Sequence, residues 1–81
     1  MQLHIIYTEE AVFLSKRAYP SWREIQDGYA GYKASLGPWA SHAMIEFLVD
    51  EYSTISPSAH SQVTALLDSK EDTTRITFSD R

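Results

Sequence analysis

Residues 2–8 read QLHIIYT, and their hydrophobic pattern alternates along the chain. In an extended backbone, Leu3, Ile5 and Tyr7 point to one side, whereas His4 and its alternate neighbours point to the other. This period of two predicts a half-buried strand at the N-terminus. The other elements are predicted from the residues that follow this strand.

Two helices are predicted after the strand. Thr8 is a suitable N-cap followed by two glutamates in the first turn, and Pro20 would end this first helix. Residues 21–24, SWRE, have the capping-box pattern that starts a second helix. The apolar stripe of the second helix contains Ile25, Tyr29, Tyr32 and Leu36. Gly37 and Pro38 are expected to end it.

A third helix is predicted over residues 38–53, where the apolar positions form a broad arc. Such an arc is typical of a central, buried helix. Ser56 followed by Pro57 predicts a fourth helix, since serine is a good N-cap and proline suits the first helical position. This helix is expected to end near Ser69. Residues 74–79 alternate in polarity and predict a closing strand.

Together these elements predict an α+β fold. We expect a small single domain over residues 1–81, with an N-terminal strand, three to four helices and a C-terminal strand that pairs in a small sheet. The expected core contains Leu14, Trp22, Ile45, Leu48, Val49, Tyr52, Val63, Leu66 and Phe78. A fold of this kind does not by itself identify a function.

Composition limits the classes to which the chain can belong. It has 81 residues, no cysteine and a formal net charge of −4. Without cysteine, a disulfide framework, a zinc–thiolate site and a thiol nucleophile are excluded. The N-terminal residues lack the basic and apolar regions of a signal peptide, so we expect a cytoplasmic location, which is the host cytoplasm if the gene belongs to a phage.

The sequence contains none of the common catalytic motifs. A G-x-S-x-G elbow, a phosphate-binding loop and a His-Glu-x-x-His helix are all missing. His42, Glu46 and Asp50 share one face of the predicted third helix, but only adjacent members of such a row could reach one ion. We therefore predict that the protein is no enzyme and that it needs no metal and no cofactor.

Contact with nucleic acid or with a membrane is also not expected. Residues 41–52 and 58–69 have the outline of a helix-turn-helix, yet the second helix offers only His60 and Gln62 to read bases. A negative net charge makes the contribution of phosphate contacts unfavourable. The longest run of apolar residues is far too short to span a bilayer.

Acidic and tyrosine side chains are the best candidates for a binding surface. Position 46 and position 50 lie opposite the apolar arc of the third helix, and Glu51 follows them. Tyr29 and Tyr32 flank a glycine-containing stretch, and tyrosine is a frequent anchor in protein interfaces. We predict that Glu46, Asp50, Glu51, Tyr29 and Tyr32 contact another protein that has a basic surface.

The most favoured function is that of a small acidic inhibitor or regulator that binds a host macromolecule. In size and charge the chain resembles phage-encoded antagonists of host defence, such as anti-CRISPR or anti-restriction proteins, without sharing a motif with them. The alternative is a dimeric transcriptional or toxin-neutralising regulator, for which a homodimer is required. An enzyme with a metal at His42 ranks third.

Overall fold

A computed structural model describes residues 2–79 of the chain. These residues form three helices and four strands. In chain order the elements are β1 (Gln2–Thr8), β2 (Val12–Ser15), α1 (Trp22–Gly28), β3 (Tyr32–Ala40), α2 (Ser41–Glu51), α3 (Ala59–Asp68) and β4 (Thr73–Arg75). The predicted α+β class is confirmed, although the strands are more N-terminal and central than predicted.

The first strand lies at the centre of the sheet. Within residues 2–79 the strands form one antiparallel sheet in the order β3-β1-β2-β4. Leu3 and Ile5 point to one face and His4 and Ile6 to the other, and all four are buried. β1 is therefore covered on both faces, whereas the alternating pattern predicted a strand covered on one.

Helices cover both faces of the sheet. Met44 and Leu48 of α2 pack with Val63 of α3 against Leu3 and Ile5. On the opposite face, α1 contributes one buried residue, Ile25, which lines a small cavity together with His4. The sheet therefore separates α1 from the pair α2 and α3, and any surface on α2 lies on the other side of the molecule from α1.

Two polar side chains fix the ends of α3. The Gln62 amide donates to the carbonyl oxygens of Pro57 (2.7 Å) and Thr77 (3.0 Å), and its own oxygen accepts from the Thr77 amide (3.0 Å). At the other end, the Lys16 ammonium donates to the carbonyl oxygens of Leu66 (2.8 Å) and Ser69 (2.6 Å). The Lys16 bonds satisfy carbonyl groups at the C-terminal end of α3, and the Gln62 bonds tie the start of the helix to Thr77.

The predicted first helix is wrong, because the chain turns after Thr8 and returns as β2. The Thr8 hydroxyl donates to the Ala11 carbonyl oxygen (2.9 Å) and accepts from the Ala11 amide (3.1 Å), so it closes a tight turn instead of capping a helix. Phe13 and Leu14 then pair with β1. A short apolar run such as this one fits a strand and a helix equally well by periodicity.

The predicted second helix is correct only in its first half. α1 begins directly after Ser21, but the Ser21 side chain makes no capping hydrogen bond, and the helix ends at Gly28. Gly31 has φ +72°, a conformation that favours glycine, and it leads the chain into β3. Tyr32 and Leu36 therefore belong to a strand and not to a helical stripe.

The third and fourth helices are confirmed with shifted boundaries. α2 occupies the middle of the predicted residues 38–53. The fourth helix begins at Ala59, and its N-cap is Ser58, whose hydroxyl accepts from the Ser61 amide, so Ser56 and Pro57 stand outside it. The closing strand β4 overlaps the start of the predicted residues 74–79. After β4 ends, Phe78 forms an isolated bridge with Ile55.

The predicted core is partly correct. Leu14, Leu48, Val63 and Leu66 are buried, and Ile45 and Tyr52 are half-buried. The prediction is wrong for Trp22, Val49 and Phe78, which are 57%, 58% and 36% exposed. α2 turns Leu48 toward the sheet, and the next residue lies about 100° further around the helix axis, in solvent. α1 turns only Ile25 inward, which leaves Trp22 outside.

Candidate functional site

The outer side of α2 carries an apolar residue bordered by acids. Because Met44 and Leu48 face the sheet, Glu46, Val49 and Asp50 project together on the opposite side of the helix. All three are exposed, as is Glu51 at the end of the helix. We refer to Glu46, Val49, Asp50 and Glu51 as the acidic face of α2. The predicted exposure of its three acids is confirmed.

The acids of this face have no basic partner within the described residues. The single ion pair recorded over residues 2–79 joins Arg17 and Asp72, whose atoms are 3.9 Å apart. α2 itself contains neither lysine nor arginine. Asp50 and Glu51 also occupy the last turn of the helix, where the dipole of the backbone disfavours negative charge. Their position is therefore unfavourable for the stability of α2.

A pair of tyrosines adjoins the C-terminal end of the acidic face. The Tyr7 phenol hydrogen-bonds to Tyr52, and the Glu51 carboxylate lies close enough to influence it. Burial is the main cause that raises the pKa of Tyr7, and the hydrogen bond and the charges of Tyr52 and Glu51 raise it further. The Tyr7 phenol thus keeps its proton at physiological pH and places an uncharged polar group beside the acidic face.

The structure does not bring Tyr29 and Tyr32 next to the acids. Tyr29 follows α1, and its ring packs on Phe13 with the ring centres 5.2 Å apart. Tyr32 begins β3, and its hydroxyl is 3.0 Å from the hydroxyl of Ser35. Both tyrosines are half-buried, and both lie on the α1 side of the sheet. A single contact that joins them to Glu46 would have to reach around the sheet.

Tyr29 instead lines an open cleft beside α1. The cleft has a volume of about 430 Å³. Its lining residues are Arg17, Ala18, Tyr19, Pro20, Glu24, Gly28, Tyr29 and Thr73. The Tyr29 phenol hydrogen-bonds to Tyr19 and Thr73, and the Tyr19 hydroxyl is 2.8 Å from that of Ser15. A chain of hydroxyl groups therefore runs from the cleft to the interior.

The Tyr29 phenol and the Ser15 hydroxyl at the two ends of this chain are a group with a raised pKa and a fully buried group. Burial, followed by the contact with Tyr19, raises the pKa of Tyr29 to about 12, so the phenol keeps its proton near neutral pH. Ser15 is fully buried, and its hydroxyl also accepts from the Arg17 amide (3.2 Å). Neither group offers an accessible base or nucleophile.

His4 is the residue in this region that the sequence does not identify. It is 8% exposed, its ring meets that of Tyr19 edge-on at 5.1 Å, and Nδ1 has no hydrogen-bond partner. Burial lowers its pKa, so the imidazole stays neutral. The polar side of an alternating strand predicts exposure, and no signal in the sequence indicates that α1 would cover it.

His42, Glu46 and Asp50, the row weighed above as a metal site, do not assemble into a ligand set. His42, Glu46 and Asp50 follow one another along α2, and His42 and His60 are exposed. Over residues 2–79, no three histidine, aspartate or glutamate side chains come together as a metal site would require. No helix in this part of the chain is long and apolar enough to cross a membrane.

Comparison with known proteins finds no relative from which a role could be transferred. The sequence matches no protein-family model, and neither curated proteins nor solved structures give a significant match. The function is therefore inferred from the surfaces of this chain alone.

Proposed function

We propose that this protein acts by binding the basic surface of another protein through the acidic face of α2. The observation that carries the proposal is Val49, 58% exposed, with Glu46 and Asp50 beside it and neither lysine nor arginine on the helix. An apolar contact within a charged rim is the common arrangement of a protein interface. The apolar residue would supply desolvated area, and the acids would steer the encounter.

The placement of the acids also supports this proposal. Asp50 and Glu51 stand in the last turn of α2, where each is unfavourable by about 0.3–1 kcal/mol, and no ion pair among the described residues compensates for them. Residues that break a local rule without structural gain are frequently functional. Binding a basic partner would explain why negative charge occupies this position.

Binding is favoured over catalysis by the character of the cleft beside α1. Its two phenols are linked to each other, the pKa of Tyr29 is raised, and Ser15 is inaccessible. The proposed role is therefore that of a stoichiometric inhibitor or regulator without cofactor. Its size and charge resemble those of phage-encoded antagonists of host defence, and the proposed site of action is the cytoplasm of the host.

A dimeric transcriptional or toxin-neutralising regulator is the second candidate. The observation that favours it is the open edge of β3, at which a second chain could pair. Sedimentation equilibrium separates the two roles, since the inhibitor acts as a monomer and the regulator requires a dimer.

The proposed contact is tested by reversing charge on α2. Three proteins are immobilised separately: the parent chain, the variant Glu46→Lys, Asp50→Lys and a control variant, Glu10→Lys, Glu71→Lys. The control changes the net charge by the same amount at exposed positions outside the helices. Each is incubated with lysate of the native host, and the captured proteins are quantified by mass spectrometry.

We expect the parent and the control to capture the same protein and the α2 variant to lose it. With the purified partner, added salt should slow association more than it speeds dissociation, because exposed charges act mainly on the encounter. If the α2 variant captures the partner as well as the parent does, the acidic face is not the contact.

A further inference from the structure

The cleft beside α1 is lined by a cation, an anion and several hydroxyl groups, and we propose that it binds a small zwitterion of the α-amino acid class. Its volume of about 430 Å³ lies within the range of small-molecule sites. Arg17 would pair with the carboxylate of the ligand, and Glu24 would pair with its ammonium group. The cleft lies on the side of the sheet opposite α2, so this site is independent of the proposed function.

The Arg17 guanidinium is held in place without using its hydrogen-bond donors. Its Cζ atom lies 5.9 Å from the centre of the Tyr19 ring. Its Nε atom lies 3.9 Å from the Asp72 carboxylate, which is too long for a hydrogen bond. Among residues 2–79, no group accepts a hydrogen bond from its two terminal nitrogens. The planar fork that binds a carboxylate through two parallel hydrogen bonds is therefore available.

The Glu24 carboxylate is also without a partner. It stands in the first turn of α1, where the sequence predicts a capping box, and in that motif the glutamate side chain would accept from the Ser21 amide. This bond is not formed, and the carboxylate makes no ion pair with any residue that the structure describes. Glu24 lines the cleft instead. An ammonium group bound there would supply the missing partner.

The balance of charge in the cleft favours a zwitterion over an ion of one sign. Among the described lining residues, Arg17 is the only cation and Glu24 the only anion. A ligand with only phosphate or carboxylate groups would be repelled by Glu24, and a ligand with only amino groups would be repelled by Arg17. An α-amino acid carries both charged groups on one carbon atom, so it can meet both side chains within one small cleft.

The rest of the lining is compatible with an apolar or aromatic side chain on the ligand. The rings of Tyr19 and Tyr29 and the aliphatic groups of Ala18 and Pro20 border the cleft. Burial is the main cause that raises the pKa of Tyr29 to about 12, so its hydroxyl stays uncharged and does not repel a carboxylate. L-Phenylalanine is therefore a suitable probe.

Hydrogen bonds fix the segment that carries Arg17. The Lys16 amide donates to the Asp72 carbonyl oxygen (2.8 Å), and the Arg17 amide donates to the Ser15 hydroxyl (3.2 Å). The Tyr19 hydroxyl is 2.8 Å from the same Ser15 hydroxyl, which is fully buried. One wall of the cleft is thus formed before any ligand binds, which reduces the entropic cost of binding.

The first test follows the amide signals of the isotope-labelled chain by NMR during a titration with L-phenylalanine. We expect saturable shifts of amides that border the cleft, such as those of Gly28, Tyr29 and Thr73, with a dissociation constant of about 1 mM. The amides of α2 should not shift. The proposal is overturned if no saturable shift appears up to about ten times that concentration, or if the shifts are confined to α2.

The second test removes each charge from the ligand and from the protein in turn. N-acetyl-L-phenylalanine lacks the ammonium group, and L-phenylalaninamide lacks the carboxylate; each should bind the parent about three- to tenfold more weakly than L-phenylalanine does. Arg17→Gln and Glu24→Gln should weaken L-phenylalanine by similar factors. Arg17→Gln should not weaken the amide further, and Glu24→Gln should not weaken the acetyl derivative further, because the matching ligand charge is already absent.

Arg23→Gln and Asp27→Asn are the matched controls. Each removes one charge from an exposed residue of α1 that does not line the cleft, and each should bind L-phenylalanine as the parent does. Full affinity in either cleft variant, or an equal loss in the controls, would show that Arg17 and Glu24 do not hold the ligand. All four positions are exposed, so the melting curves of the variants should match that of the parent.

The α2 variant Glu46→Lys, Asp50→Lys separates this site from the proposed function. It should lose the protein partner and bind L-phenylalanine with the affinity of the parent, whereas Arg17→Gln should capture the partner as the parent does. Loss of L-phenylalanine in the α2 variant would place the ligand outside the cleft and would contradict the proposal, whatever the outcome for the partner.

Discussion

Replacing Asp50 and Glu51 by lysine is expected to strengthen the fold and weaken binding of the partner at the same time. Both acids are exposed in the last turn of α2, where carbonyl groups point toward them and the dipole favours cations. A lysine at either position would reverse this unfavourable contact. It would also place positive charge in front of a basic partner.

The size of the stabilisation follows from the two positions. An acid in the last turn is unfavourable by about 0.3–1 kcal/mol, and a lysine is favourable by a similar amount. Two reversals therefore raise the free energy of unfolding by about 1–4 kcal/mol if the contributions add. For a chain of this size, about 4–8 °C per kcal/mol applies, so the melting temperature should rise by about 4 °C or more.

The assay combines a thermal melt, followed by circular dichroism at low salt, with a titration of the purified partner. Glu10→Lys, Glu71→Lys is the control, because it changes the charge equally outside the helices and should leave the melting temperature nearly unchanged. A melting temperature that falls would refute the dipole argument. An unchanged affinity would refute the role of the acids in binding.

Three further predictions concern the fold. Leu48→Ala should lower the free energy of unfolding by about 2–5 kcal/mol in urea titrations, because the side chain is fully buried. Gly37→Ala should destabilise the fold strongly, because φ is +118° and a β-carbon would approach the Leu3 carbonyl oxygen to 2.7 Å. The control Gly28→Ala should leave the stability nearly unchanged, because the space around Gly28 is open. Burial lowers the pKa of His4 below the ordinary histidine value of 6.5, so below pH 6.5 the unfolded chain binds more protons at this residue than the folded chain does. The free energy of unfolding should therefore fall as the pH drops through 6.5. His4→Phe should remove this pH dependence.

The helices whose apolar residues keep a helical spacing over several turns were predictable from the sequence. α2 and α3 repeat their apolar residues over several turns, and this signal was strong enough to place both helices despite shifted ends. The period of two over β1 was equally clear. What the pattern missed at β1 was the second covering layer: Ile6 gave the second face some apolar character, but His4 gave no indication that this face would be buried.

The helix predictions for the residues of β2 and β3 were wrong for local reasons. β2 contains only Val12–Ser15, and its short apolar run follows a threonine and two glutamates that resemble the start of a helix. In β3, a chance spacing of tyrosine and leucine imitates a helical stripe. Gly31, whose φ is positive, is the residue at which the chain leaves α1 and turns into β3. Pairing with β1 outweighs local propensity in both cases, through a short hairpin for β2 and through a long-range contact for β3.

The candidate site was predictable where exposure follows from periodicity alone. Glu46 and Asp50 are exposed because their positions lie opposite Met44 and Leu48, whereas Glu51 is exposed at the end of the helix. Val49 was assigned to the core because it is apolar, and only the observed rotation of α2 identifies it as surface. The cleft beside α1 brings together residues that are distant in sequence, such as Arg17 and Thr73, and this requires the sheet order.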